Sequence, residues 1–133
     1  MPTLSNAYYI ARTLECSPDE AEARVRQALS EAGFGILTEI DVQATLKKKL
    51  DVDFRPYKIL GACNPPFAHQ ALQAEDKIGT MLPCNVIVQA TADGHAEVAA
   101  VDPVASMQAV DNAALRPIAE EIRQRLRRVI DSL

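Results

Sequence analysis

Two of the three cysteines in the chain stand at positions where a thiol could take part in chemistry. Cys63 directly precedes Asn64 and Pro65, a pair that is typical of the first residues of a helix. The free amides and the dipole of a helix N-terminus stabilise a thiolate, which would lower the pKa of the Cys63 thiol. The sequence favours the other interpretation, a small buried residue at the end of a strand, because free cysteines are often buried.

Cys84 directly follows Pro83, near the start of a predicted strand. Alternation places it on the same face as Val86, which favours an inert thiol in the core. A helix predicted between this strand and the preceding one would make the two strands parallel. Cys63 and Cys84 would then lie at opposite ends of the sheet, and Asp102 would lie at the end that carries Cys84. A dithiol or a shared metal site would therefore need a second copy of the chain.

Other patterns of catalytic or metal-binding residues are missing from the sequence. It contains no Cys-x-x-Cys pair, no glycine-rich phosphate loop, no Gly-x-Ser-x-Gly elbow and no His-Glu-x-x-His motif. His69 lies six residues after Cys63, and a Cys–His nucleophile would need the fold to bring the two side chains together. The sequence therefore disfavours an enzyme, predicts no cofactor and leaves a metal site open.

Length and composition restrict the class of protein further. A chain of 133 residues predicts one domain, residues 1–133. The net charge of -4, three tyrosines, three phenylalanines and no tryptophan argue against a nucleic-acid partner. The sequence has no visible secretory signal and no apolar run long enough to span a membrane. These features, with an odd number of cysteines, predict a cytoplasmic protein with free thiols and no membrane partner.

The apolar pattern predicts an α+β domain with the element order β-α-β-(α)-β-α-β-β-α. Strands are predicted over 6–14, 36–42, 57–62, 81–91 and 96–101. They would form one mixed sheet of about five strands with two long helices and a short one, the short helix over 43–50. The long helices begin after Ser17 and near Ala113; with a middle helix that begins at Asn64, they would pack on one face. In the second strand, Ile36 and Ile40 would point the same way.

Three parts of the sequence resemble the signature of the domain-of-unknown-function 302 family. They are Tyr57–Pro65, Leu82–Val86 with Gly79 before it, and Asp102-Pro103. The positions that match are Cys63, Asn64, Pro65, Pro83, Cys84, Asp102 and Pro103. The resemblance covers nearly the whole chain and implies a small prokaryotic α+β domain that commonly forms homodimers. It implies no activity, because the family is named for its unknown function.

Two hypotheses of function follow, and a third is weaker. The leading one is a homodimeric, non-catalytic module that binds or senses a small molecule at the strand ends. Its candidate residues for a ligand or thiol site are Cys63, Asn64, Pro65, Pro83, Cys84 and Asp102. The alternative is a thiol-based redox or metal-handling protein that uses Cys63 and possibly Cys84. A hydrolase or transferase with Cys63 as nucleophile would need a base within about 3 Å of the thiol.

Overall fold

The computed structural model describes residues 1–133 and contains one antiparallel sheet of six strands. The strands, labelled β1 to β6 in chain order, are Leu4–Ser5, Tyr9–Leu14, Gly35–Asp41, Tyr57–Cys63, Cys84–Ala90 and Ala96–Val101. Their order across the sheet is β1-β2-β6-β5-β4-β3, and every neighbouring pair is antiparallel. The α+β class is confirmed. The mixed sheet of about five strands is wrong, because β1 adds a strand and no pair is parallel.

Five α-helices and a 3-10 helix accompany the strands, and the last two α-helices follow the final strand. The α-helices, labelled α1 to α5 in chain order, are Pro18–Glu31, Val42–Leu50, Pro65–Ala74, Pro103–Ser106 and Leu115–Asp131. The 3-10 helix covers Asp76–Met81, so the strand predicted from residue 81 begins only at Cys84. The short helix α4 was not predicted. None of these helices is long and apolar enough to cross a bilayer.

α1 and α5 cover one face of the sheet and enclose the main core. The start of α1 follows the predicted cap, since Ser17 Oγ accepts a hydrogen bond from the amide of Glu20 at 3.2 Å. The largest fully buried side chains of the main core are Ile10, Val25, Leu29, Leu60, Val86, Val98, Leu126 and Ile130. Burial of such a side chain contributes about 1.5 to 3 kcal/mol to folding. This layer therefore fixes which residues of each strand face the helices.

The middle helix, α3, packs mainly against the 3-10 helix and α5 rather than on the sheet. A second cluster of buried residues joins these elements: Ala71, Ile78, Met107, Leu115 and Ala119. The expectation that α3 covers the sheet face is therefore wrong. The 3-10 helix returns the chain to the end of the sheet where β4 finished, so β5 runs antiparallel to β4.

A bulge interrupts the alternation of β3. The pairing shifts between Ile36, which lies opposite Ala62, and Thr38, which lies opposite Gly61. The extra residue, Leu37, is 66% exposed. Because a bulge inserts one residue, Ile36 packs against the core whereas Ile40 lies on the other face of the sheet. The prediction that Ile36 and Ile40 point the same way is wrong for this reason.

Candidate functional site

The predicted site residues lie at one end of the sheet, as expected for Cys84 and Asp102 but not for Cys63. β4 finishes at Cys63, β5 begins at Cys84, and Asp102 follows β6. Ala62 stands opposite Cys84, so the two cysteines lie at neighbouring strand ends of one subunit. The prediction that they lie at opposite ends of the sheet is wrong, because the strands are antiparallel.

Both cysteines line a small cavity near the start of α3. Its volume is about 20 Å³, which is room for about one water molecule. Its other lining residues are mostly apolar and include Phe34, Phe67 and Met107. A space of this size cannot hold a metabolite. The two cysteines therefore border a gap in the packing and not a pocket for an organic ligand.

Burial raises the pKa of both thiols. The pKa of Cys84 rises to about 11 through burial, with a smaller contribution from the nearby Cys63. Burial also raises the pKa of Cys63. The lowered pKa considered for Cys63 is therefore wrong in direction: burial makes the thiolate less favourable, and the thiol lies ahead of Asn64, the residue that caps α3. No group of three or more His, Cys, Asp or Glu side chains is placed to bind a metal ion.

Asn64 and Pro65 shape the turn from β4 into α3. Asn64 Oδ1 accepts a hydrogen bond from the amide of Phe67, and the side chain is buried. Its Nδ2 lies near Gly33, which has a φ of +86° at the end of α1. Pro65 takes the first position of the helix, where an amide hydrogen would have no partner. Both residues therefore have a structural role that needs no ligand.

Asp102 and Pro103 form a similar turn from β6 into α4. Asp102 Oδ1 accepts hydrogen bonds from the amides of Val104 and Ala105 at 2.9 and 3.3 Å. Its Oδ2 lies 3.2 Å from Nε of Arg123 in α5. Since both carboxylate oxygens have partners within the protein, Asp102 has little capacity left for a ligand.

Pro83 packs beside Gly61 at the same end of the sheet. The Leu82–Pro83 peptide bond is cis. A Cβ atom on Gly61 would lie 2.7 Å from Pro83 Cγ and would also overlap the hydroxyl of Thr38. Such a contact is far closer than side chains tolerate, so position 61 needs glycine. Pro83 thus contributes to the packing of β4 against β5.

The sheet face turned away from α1 and α5 carries an apolar row, formed by one residue from each strand. In register across the sheet, the row consists of Leu4, Ala11, Ala99, Ile87, Ile59 and Ile40. Leu4 and Ile40 at its ends are 58% and 48% exposed, Ala99, Ile87 and Ile59 are half-buried, and Ala11 is buried at 1%. The exposed part of the row therefore runs without a gap over β6, β5, β4 and β3, and contiguous apolar surface of this kind marks interaction sites. We call this side of the sheet the open face.

A groove of about 450 Å³ lies on the open face. Its floor includes Ile87, Ala99 and Val101. All three tyrosines of the chain line it, namely Tyr8, Tyr9 and Tyr57. Glu97 is the only charged residue in its lining. The volume is within the range of small-molecule sites, and so is the combination of an apolar floor with a few polar groups.

A hydrogen-bonded row of side chains runs beside the apolar row. Gln89 stands between Tyr57 and Glu97 in the register. Its Nε2 donates to Glu97 Oε1 at 2.9 Å, and its Oε1 accepts from Arg55 Nε at 2.9 Å. Arg55 also lies over the rings of Phe54 and Tyr57, 4.4 and 5.5 Å from their centroids. The row leaves one oxygen of the Glu97 carboxylate without a partner.

A second groove, of about 500 Å³, lies beside Asp102 between α4 and the start of α5. Two of its polar side chains are bonded within the protein: Asp102 binds α4 and Arg123, and Asn112 Nδ2 donates to the carbonyl of Ala74 at 2.8 Å. Two others, Asp111 and Arg116, are exposed and of opposite charge. The groove on the open face combines a single charged residue with all three tyrosines, so we take it as the candidate ligand site.

Sequence reasoning did not select the residues of this groove. Gln89 and Glu97 occupy positions that alternate with buried residues of their strands, and Tyr57 is the first residue of β4. Alternate positions of a half-buried strand usually face solvent. Without the order of the strands, nothing in the sequence brings these positions together. The order β6-β5-β4 is what makes them neighbours.

Comparison with known proteins gives the relatives of the chain and no activity. A family model described as "Domain of unknown function DUF302" matches residues 10–133. A crystal structure of an uncharacterised conserved DUF302 protein from Bacillus stearothermophilus has a TM-score of 0.86 and 28% sequence identity to the chain. The match covers 92% of this chain and 95% of that one. No curated protein matches the sequence.

Proposed function

We propose a binding function for this chain, which belongs to the DUF302 family of domains of unknown function. In this proposal the protein is a non-catalytic, homodimeric module of the cytoplasm that binds or senses a small molecule. The observation that carries the proposal is the open face, where two members of the apolar row, Ile87 and Ala99, form the floor of a groove lined by tyrosines and polar groups. Such a surface is costly to leave in water and suited to a partner and a ligand.

The partner that fits the open face best is a second copy of the chain. Six strands at standard spacing give a face of roughly 500 Å² in projection. A standard interface takes about 800 Å² of accessible surface from each partner, so a dimer would use the whole of this face. The row crosses all six strands, from Leu4 at one edge of the sheet to Ile40 at the other, so a two-fold axis can place it opposite the same row of a second copy.

A dimer of this kind would place the two grooves between the two sheets. A ligand there would lose most of its contact with water and gain contacts to both copies. The proposal therefore joins the homodimer and the ligand site in one surface. In this proposal the residues where β4 and β6 end and β5 begins have a structural role. The hydrogen bonds of Asn64 and the contacts of Asp102 within the protein support that role.

Two matched substitutions test the dimer. Ile40 on the open face is 48% exposed, and Leu72 on α3 is 44% exposed, so Asp at either position adds the same charge to a similarly exposed site. We expect Ile40→Asp to give the mass of one chain in light scattering. Leu72→Asp and the unmodified protein should give twice the 14.5 kDa of one chain. A dimer that survives Ile40→Asp would place the interface elsewhere.

A thiol-based redox or metal-handling role is the second candidate, favoured by the neighbouring positions of Cys63 and Cys84 at the ends of β4 and β5. The raised pKa of both thiols weighs against it. Treatment with a mild thiol oxidant, in a Cys16→Ser background, tests it directly. A single intramolecular disulfide, found by mass spectrometry of the non-reduced peptides, would support this role. Its absence would remove a role that depends on pairing of these thiols.

A further inference from the structure

We infer that the groove on the open face binds an organic cation, an ammonium group on an apolar body, with Glu97 as the counter-charge. The inference rests on the proposed use of this groove as a ligand site and names the class of ligand. It goes beyond the shape of the groove, because shape alone does not distinguish a cation from a neutral or anionic ligand.

The charge of the lining is the first argument. Glu97 is half-buried and is the only charged residue that lines the groove. Gln89 donates to one of its oxygens, and no cation of the chain lies within ion-pair distance of it. The nearest cation on its row, Arg55, is bonded to the other end of the Gln89 amide. Once a second copy covers the face, a carboxylate without a compensating cation becomes costly.

The aromatic lining is the second argument. A tyrosine ring has a negative face that attracts cations, and cages of such rings recognise alkylated ammonium groups. Tyr8 and Tyr9 meet edge to face at 5.0 Å between centroids. Tyr57 already attracts one cation, since the guanidinium of Arg55, which does not line the groove, lies over its ring. An aromatic lining with a single carboxylate thus favours a cation over an anion.

The floor of the groove completes the description of the ligand. Ile87, Ala99 and Val101 offer apolar surface between the tyrosines and the hydrogen-bonded row. An apolar body on this floor would bring its charged end towards Glu97. A purely ionic ligand, such as a small inorganic cation, would leave the floor exposed and would find only one carboxylate.

Three probes that share one apolar body separate charge from hydrophobicity. They are 4-phenylbutylamine, which is an ammonium at neutral pH, 4-phenylbutan-1-ol and 4-phenylbutyrate. Each is titrated into ¹⁵N-labelled full chain, and the amide shifts of Ile87, Gln89 and Ala99 report binding in the groove. We expect the ammonium to bind about tenfold more tightly than the alcohol, and the carboxylate to bind most weakly. Higher salt should reduce the difference.

Two substitutions, each of which removes one negative charge, test whether Glu97 causes the preference for the ammonium. Glu97→Gln keeps an oxygen that can accept from Gln89, so the sheet should remain intact, and the preference for the ammonium should disappear. Glu15→Gln removes the same charge from an exposed position outside the groove and should leave the preference unchanged. The spectrum of each ¹⁵N-labelled variant, recorded before any probe is added, shows whether the variant is folded.

The outcomes distinguish this inference from the proposed function. Equal binding of the ammonium and the alcohol, or a preference that survives Glu97→Gln, would overturn the cation inference while the groove remained a ligand site. If none of the three probes moved the groove amides, both the inference and the ligand-binding part of the proposed function would be contradicted.

Discussion

Asp102 holds Arg123 of α5 through one carboxylate oxygen, at 3.2 Å, while its other oxygen caps α4. One side chain, itself 7% exposed, thereby joins the end of β6 to two helices. The sequence Asp-Pro at this point is explained by the local fold. The strand must end, the next helix must begin, and a buried carboxylate must find partners for both of its oxygens.

The first prediction concerns the stability that Asp102 provides. Asp102→Ala removes the cap of α4 and leaves Arg123 without its partner, so the free energy of unfolding should fall by about 1 to 3 kcal/mol. Asp102→Asn still offers an oxygen to the two amides and should cost less. Urea unfolding followed by circular dichroism measures both. An Asp102→Ala variant as stable as the unmodified protein would contradict this structural role.

The second prediction concerns Gly61. A methyl group there would meet Pro83 and Thr38, so Gly61→Ala should destabilise the protein by about 1 to 3 kcal/mol through overpacking. Gly79→Ala is the matched control, since nothing lies within 4 Å of the added atom. Thermal unfolding of the two variants measures the difference. Equal midpoints would show that the contact between β4 and Pro83 is not tight.

The third prediction concerns alkaline pH and Cys84. Its pKa in the fold is about 11 against an ordinary value of 9.0, so the folded state binds this proton more tightly than the unfolded state. The resulting stability is complete below pH 9 and is lost as the pH rises towards 11; it amounts to about 3 kcal/mol. Unfolding of Cys84→Ala should depend less on pH over this window, with Cys16→Ala as control. Parallel profiles for the Cys84→Ala variant and the unmodified protein would contradict burial of this thiol.

Local signals in the sequence predicted local structure well. The cap at Ser17 starts α1, and the pair Asn64-Pro65 starts α3. The placing of Cys84 among core residues is also confirmed. Each of these features depends on neighbours within a few positions along the chain.

Longer-range features could not be predicted in the same way. Asn64 and Pro65 indicate where α3 starts, but no nearby residue indicates whether the helix crosses the sheet or stays at its end. The 3-10 helix over Asp76–Met81 decides this by returning the chain, and its packing through Ile78 depends on α3 and α5. The direction of β5, the neighbouring positions of the two cysteines and the groove on the open face all depend on that step.

The central claim, that a second copy covers the open face, is tested most directly by a native mass spectrum of freshly purified, untagged protein. It reports the number of subunits and any retained ligand mass together. We expect two chains of 14.5 kDa each in the unmodified protein and one chain in Ile40→Asp, with any retained mass lost in that variant. A single bare chain in the unmodified protein at micromolar concentration would contradict the claim.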